Sequence, residues 1–134
     1  MPTYGNNKDG EDVTIRRYDA SVAKFEMQGQ LLNQTVDREV TSGKLTGDTA
    51  RQCNRRIMDV EANWLNSEGI PGRPWFKHIL YAARYTYAHL ELPGLTEAIE
   101  RGDWKAAKEQ GKILEDALTR NTNLLRVTTG DLAK

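Results

Sequence analysis

The sequence has little of what metal centres and crosslinked folds require. Among its 134 residues there is one cysteine, Cys53, and there are two histidines, His78 and His89. A single cysteine cannot form an internal disulfide, so packing alone has to hold the fold. A metal site needs several His, Cys or carboxylate ligands at close range, and the histidines lack the i, i+4 spacing that pairs two rings on a helix. We therefore expect no metal and no cofactor.

An excess of charge of either sign is also absent. Lys plus Arg and Asp plus Glu number 19 each, so the formal net charge is zero. A nucleic-acid binder needs a basic face that displaces counterions from phosphates, and a neutral chain has no long-range field toward an anionic membrane. No stretch approaches the roughly 18 consecutive apolar residues of a membrane helix. We expect this chain to contact neither nucleic acid nor a membrane.

Sequence motifs of catalysis are missing as well. No Gly-x-Ser-x-Gly elbow presents a nucleophile, which would also need a base within hydrogen-bond reach. Residues 67–72 contain two glycines but do not lead into the Lys-Ser/Thr helix start of a phosphate-binding loop. The carboxylates lie beside Lys and Arg on polar helix sides, where solvation explains them. We predict that the chain is not an enzyme and has no catalytic residue.

What the sequence does contain is apolar residues at three- and four-residue spacings in three long segments. Such spacing places side chains on one stripe of an α-helix, and strand-like alternation is absent beyond a few residues. The three stripes span residues 15–40, 50–64 and 104–125. The pattern predicts an all-α fold.

Residues that begin and end helices agree with these segments. Gly43 follows the first stripe, and a helix commonly ends at a glycine because glycine readily adopts a positive φ. Thr46 or Asp48 can cap the second helix, and the prolines and glycines of residues 69–74 end it. A short fourth helix follows, and Asp103 can cap the last long one. Because short connections favour antiparallel neighbours, we predict an antiparallel helical bundle of three long helices plus one short helix, with an aromatic-rich loop.

Two glycines lie inside the predicted helices. Gly29 and Gly111 belong to the first and third stripes, and each costs about 1 kcal/mol of helix propensity relative to alanine. A glycine at such a position allows two helices to approach closely, which would offset this cost. Neutral variation on a tolerant helix is the alternative interpretation.

The most unusual segment is residues 74–94. It holds five of the chain's ten aromatic residues, and these five lie outside the helical stripes. It is either a lid folded over the end of the bundle or a recognition surface, since exposed aromatic residues with Arg are typical of binding hot spots. A small-molecule site lined by Arg84, Tyr85, Tyr87 and His89 is a third interpretation. We take as interface or substrate-loop candidates Trp75, Phe76, Tyr81, Arg84, Tyr85, Tyr87 and His89.

The same segment carries a resemblance to a known family. Residues 71–82 read Pro-Gly-Arg-Pro-Trp-Phe-Lys-His-Ile-Leu-Tyr-Ala, residues 92–99 read Leu-Pro-Gly-Leu-Thr-Glu-Ala-Ile, and residues 102–104 read Gly-Asp-Trp. These motifs, in this order, resemble the transferrin-receptor-like dimerisation domain. That domain forms the C-terminal part of the transferrin receptor and of glutamate carboxypeptidase II-type zinc peptidases.

The resemblance also suggests how the chain is divided. It covers most of the sequence and is strongest between residues 54 and 104. We predict a helical dimerisation domain over residues 15–126, with a flexible polar leader at residues 1–14 and a C-terminal tail at residues 127–134. The leader has no hydrophobic core, so we do not expect it to be a secretory signal.

The resemblance implies a helical bundle that joins two subunits into a homodimer. In full-length relatives a preceding peptidase-like domain holds the metal ligands, so none can be assigned to this chain. The parent would be a membrane-anchored ectodomain or a protein of the vacuolar or secretory pathway. In carboxypeptidase relatives a Lys-Tyr pair of the aromatic loop reaches the substrate carboxylate. Here Thr86 stands in place of the lysine before Tyr87, and Ala83 replaces the usual proline after Tyr-Ala.

Two functional hypotheses follow. The first is a non-catalytic homodimerisation module, in which two copies cover each other's exposed apolar side chains. The second is a hetero-interaction module, in which the same surface binds another helical protein or a peptide. Self-association in solution distinguishes them.

Overall fold

The computed structural model describes the backbone of residues 11–85 and 88–134 and the side chains of residues 18–83 and 90–134. The described chain is mainly helical, which confirms the predicted fold class. Its helices and strands, in chain order, are α1 (Glu11–Thr41), α2 (Gly47–Ala62), β1 (Tyr81–Tyr85), β2 (Ala88–Glu91), α3 (Pro93–Glu100) and α4 (Trp104–Leu132).

Local capping chemistry determines where the helices begin. The Thr46 side chain accepts a hydrogen bond from the backbone N–H of Thr49, and Asp103 accepts one from Ala106 at the start of α4. Both bonds satisfy donors that have no partner within the helix. After α1, Gly43 adopts a φ of 69°, a conformation that glycine enters without a steric penalty. The sequence predicted Gly43 and Asp103, and it offered Thr46 as one of two candidate caps, with Asp48.

The long helices run up, down and up. Tyr18 near the start of α1 lies against Gly111 of α4, and Leu32 further along α1 shares a cluster with Leu125. These two helices therefore run in the same direction. Arg56 contacts Asp131 while the later Asn63 contacts Asn121, so α2 runs opposite to α4.

Two apolar clusters form the core between these helices. One consists of Leu32, Cys53, Leu125 and Leu132, with Phe25, Val36, Leu45 and Val60 packed against it. The other consists of Trp64, Ala117 and Leu118, with Phe25, Ile79, Leu80 and Leu114 packed against it. Phe25 joins the two clusters, and its ring meets the edge of the Trp64 ring at a centroid distance of 5.7 Å. Burial of these side chains supplies the main stabilisation of the fold.

The aromatic-rich loop departs from the prediction because it contains a small antiparallel sheet. Strands β1 and β2 pair from Tyr81 opposite Glu91 to Ala83 opposite His89, and the register shifts between Ala83 and Tyr85. The strands have five and four residues, which is too short for an alternating pattern to stand out in the sequence. The all-α fold class stands, and the hairpin is a local departure from the predicted loop.

The predicted stripes also differ from the observed core at several positions. Val22, Val40, Ile57 and Trp104 belong to the stripes, yet each is exposed. One reason is that α1 packs mainly on α4, so Val22 and Val40 remain exposed on the part of α1 that α4 does not cover. α4 continues to the buried Leu132, past the residue 126 that ended the predicted domain.

Candidate interaction surface

The chain between α2 and β1 is held in a fixed path by its own backbone. The N–H of Asn66 donates to the Lys77 carbonyl, that of Ile70 to the Phe76 carbonyl and that of Ile79 to the Trp64 carbonyl. Gly69 has a φ of 70°, and a Cβ there would lie within 2.3 Å of the Pro74 carbonyl oxygen. Only glycine fits this turn, so the segment is a structured excursion that presents residues 71–76 at its tip.

Arg73 fastens this excursion to two neighbouring elements. Its guanidinium donates to the Ala83 carbonyl of β1 at 3.1 Å and to the Glu97 carboxylate of α3. The same group lies over the Phe76 ring, 4.6 Å from its centroid. A planar cation with five donors suits this combination of a carboxylate, a carbonyl and an aromatic face. Arg73 therefore sets the position of the loop tip relative to the hairpin.

Two of the predicted aromatic candidates are exposed. Trp75 exposes 67% of its surface and Tyr81 exposes 56%, whereas Phe76 is half-buried beneath Arg73. Trp75 makes a tilted contact with Phe76 at a centroid separation of 6.2 Å. Exposed tryptophan and tyrosine on a backbone held in place are favourable for recognition because little side-chain entropy is lost on binding.

His78 connects α2 to the base of the hairpin. Its Nδ1 accepts a hydrogen bond from the Leu80 N–H at 3.2 Å, and its Nε2 lies 3.0 Å from a carboxylate oxygen of Glu61. Since Nδ1 is an acceptor, Nε2 carries the proton and donates to Glu61. The ring stacks on Tyr81 at 4.0 Å. Tyr81 is thereby oriented although it is exposed.

The remaining predicted candidates lie in the hairpin. The backbones of Arg84 and Tyr85 belong to β1 and that of His89 belongs to β2, but their side chains lie outside the described residues, as does all of Tyr87. Thr86 also lies outside them. Their roles as interface or substrate-loop residues therefore stay predictions.

The sequence analysis did not select several exposed apolar residues. Met27, Leu31, Met58, Leu65 and Val127 are all exposed, and Val127 lies on the outer side of α4. The sequence signal that could have identified them is an apolar residue outside the main apolar stripe of its helix, as at Met58 in α2. A single such residue is common on protein surfaces, so only the number of them indicates an uncovered surface.

Two ionisable groups have shifted pKa values. Burial raises the pKa of the Cys53 thiol, and the nearby Arg56 opposes that shift. The pKa of Asp131 is lowered, chiefly by a hydrogen bond from Arg56 and then by one from Lys134. Neither group adjoins the aromatic segment. Within the described ranges, no three His, Cys, Asp or Glu side chains are grouped so as to hold a metal ion.

The family model described as transferrin receptor-like dimerisation domain matches residues 13–126. The chain belongs to this family. None of its described helices combines the length and apolar character needed to span a bilayer.

Several curated proteins are similar to the chain over parts of its length. An inactive zinc metalloprotease of Schizosaccharomyces pombe is 32% identical over 74 residues, which is 54% of this chain and 9% of that protein. A probable glutamate carboxypeptidase of Zea mays is 40% identical over 62 residues, 45% of this chain and 9% of the relative. A probable glutamate carboxypeptidase of Arabidopsis thaliana is 23% identical over 123 residues, 90% of this chain. The chain thus spans 9% to 17% of the length of these relatives.

Proposed function

We propose that this chain is a non-catalytic homodimerisation module. The observation that carries the proposal is the combination of a dimerisation-family match over residues 13–126 with many exposed large apolar side chains. Apolar surface removed from water contributes roughly 25 cal/mol per Å². A stable interface buries at least about 1,000 Å² in total, which has to outweigh the lost rotational and translational freedom.

Net charge and length support self-association. A chain with zero net charge has little long-range repulsion between copies. A helix of 31 residues is about 46 Å long, so its exposed side offers an extended, rigid surface. In this proposal the chain contributes assembly, and any peptidase-like chemistry belongs to other parts of a longer parent protein.

Subunit exchange tests the proposal directly. One sample is labelled with a donor dye and another with an acceptor at Lys or at an introduced exposed cysteine, and the two are mixed at tens of micromolar. We expect energy transfer to develop on mixing and to disappear on dilution below the dissociation constant. Absence of transfer at every concentration, with labelled chains still folded by circular dichroism, rejects the homodimer.

A hetero-interaction module is the second candidate, and the exposure of Trp75 favours it. Its side chain lies at the tip of the excursion that Arg73 holds in place. In this case the chain stays monomeric, and Trp75 fluorescence responds to a helical or peptide partner. Replacement of Trp75 by Ser would remove that response, while Trp104→Ser, at another exposed tryptophan, would not.

A further inference from the structure

Gly29 is a helix-interior glycine that nothing within the described chain explains. It lies in the middle of α1, and no atom of a neighbouring element lies within 4 Å of the place where a Cβ would be. Its φ is not positive, so the backbone conformation does not require glycine. The residue therefore weakens α1 without a packing benefit inside the chain.

Two other helical glycines have a visible reason, whereas Gly130, near the end of α4, also has open space around it. A Cβ on Gly111 would lie 1.9 Å from the Tyr18 hydroxyl, and one on Gly94 would lie 2.1 Å from the side-chain oxygen of Gln110. Those glycines permit close contacts between elements of one chain. Gly29 provides the same space, but its space opens to the outside of the bundle.

The residues around Gly29 form an apolar side of α1. Val22 and Val36 lie seven positions before and after it, which places all three on one side of the helix. Val22 exposes 49% of its surface, Val40 exposes 58%, and Val36 is half-buried. This side, defined as Val22, Gly29, Val36 and Val40, is the Gly29 face.

The spacing of the Gly29 face is symmetric about the glycine. A two-fold dimer brings the same patch of both subunits together, so the patch has to be complementary to itself. If two α1 helices cross antiparallel at Gly29, residues at equal distances before and after it lie opposite each other. Val22 then lies opposite Val36 of the partner subunit, and by symmetry this pair occurs twice in the dimer.

Charge is compatible with this crossing. Over nine positions on either side of Gly29, no two residues at equal distances from it carry charges of the same sign. Near the crossing point, for example, Glu26 lies opposite Leu32. The first like-charged pair, Asp19 opposite Glu39, lies ten residues or about 15 Å along the helix from the crossing. Like charges placed opposite each other would oppose association, and the centre of this arrangement avoids them.

We propose that a second copy of this chain docks on the Gly29 face, with the two α1 helices crossing antiparallel at Gly29. This inference rests on the proposed homodimer and adds the location and geometry of its contact. The glycine lets the helix backbones approach, and the valines on either side fill the space next to the crossing. A single helix crossing covers part of the area that a stable dimer needs, so it forms the centre of a larger interface.

Two alanine substitutions separate this contact from helix propensity. Gly29→Ala and Gly130→Ala both add a methyl group to a helix at a place with no atom within 4 Å, and both favour the helix in the monomer. Gly130, which is exposed near the end of α4, is the matched control. We expect Gly29→Ala to raise the dimer dissociation constant at least tenfold, while Gly130→Ala changes it less than twofold.

A second pair of variants tests the valines. Val22→Lys and Val127→Lys each replace an exposed helical valine, so both chains are expected to fold. Only Val22→Lys should weaken the dimer. All dissociation constants are measured by sedimentation of the full 134-residue chain.

The outcomes distinguish this inference from the proposed function. If the wild type, Gly29→Ala and Val22→Lys all dimerise with the same dissociation constant, the Gly29 contact is overturned and the homodimer still stands. A wild-type chain that stays monomeric at all concentrations rejects the homodimer itself. Weakening by Gly29→Ala and Val22→Lys, with both control variants unchanged, supports the crossing.

Discussion

At the scale of single residues, Asn121 shows how one buried amide joins two helices. It exposes none of its surface, and its amide donates to the Val60 carbonyl at 3.1 Å while its oxygen accepts from Asn63 at 2.8 Å. The Val60 carbonyl lies in the last turn of α2, where carbonyls have no partner within the helix. Asn121 thus completes the end of α2 from within α4.

Replacing Asn121 with alanine should lower the free energy of unfolding by about 2 to 3 kcal/mol, because buried polar groups lose their partners. Urea denaturation of both chains measures the change. Asn123→Ala is the matched control, since Asn123 is exposed on the same helix, and it should change stability by less than about 0.5 kcal/mol. Equal losses in the two variants would contradict the assigned role of Asn121.

Asp131 carries a pH dependence whose sign follows from its lowered pKa. Arg56 donates to one carboxylate oxygen at 2.6 Å and Lys134 donates to the other at 3.0 Å. A carboxyl whose pKa is lower in the folded state stabilises the fold above its ordinary pKa of about 4. That stabilisation is lost as the pH falls from this value through the lowered pKa.

Asp131→Asn should therefore unfold at a lower temperature than the wild type at pH 7, and the difference should shrink below about pH 4. Thermal unfolding followed by circular dichroism at several pH values provides the measurement. Asp116→Asn serves as the control because Asp116 is exposed and pairs with Lys112 on the same helix. A Tm difference for Asp131→Asn that is the same at pH 7 and pH 3 would argue against the ion pair.

At the scale of elements, Arg73 links the excursion, β1 and α3. Arg73→Lys keeps the charge but loses the planar group that serves a carbonyl, a carboxylate and a ring together. We expect faster amide hydrogen exchange in residues 80–92, with exchange in α1 and α4 unchanged. Arg51→Lys is the control, since Arg51 is exposed and pairs with Asp48 of its own helix. Unchanged exchange at the hairpin in Arg73→Lys would show that Arg73 does not hold it.

The elements also show which parts of the fold could be read from the sequence. Caps such as Thr46 and Asp103 depend on neighbouring residues, so local rules located them. The hairpin was missed because its strands have only five and four residues, too few for an alternating pattern to stand out. In the aromatic segment the sequence pointed to Trp75, which is exposed; its role in recognition stays a prediction.

The Gly29 face could not be distinguished from the core-facing residues of α1 by sequence alone, because both belong to the same apolar stripe. Apolar spacing marks the residues that avoid water, but it does not say whether the partner helix belongs to the same chain. Only the structure shows that α1 packs mainly on α4, while Val22 and Val40 remain exposed. One edge of the stripe, which includes Leu32, therefore packs in the core, while the other edge, with Val22 and Val40, is exposed.

At the scale of the whole molecule, the bundle has apolar surface left over after its core is formed, and in the proposed dimer a second copy covers it. Two clusters joined by Phe25 make the core, and α1 and the aromatic excursion carry much of the surface that remains. Trp75 and the Gly29 face are separate parts of that surface. Self-association is therefore the central property to test.

The molar mass in solution tests it most directly. Light scattering on a size-exclusion column, run over a dilution series that begins at tens of micromolar, measures this mass without labels. We predict a mass near twice the 15.2 kDa of the chain at the highest concentration, falling toward a single chain on dilution. A mass of one chain at every concentration would contradict the proposed dimer.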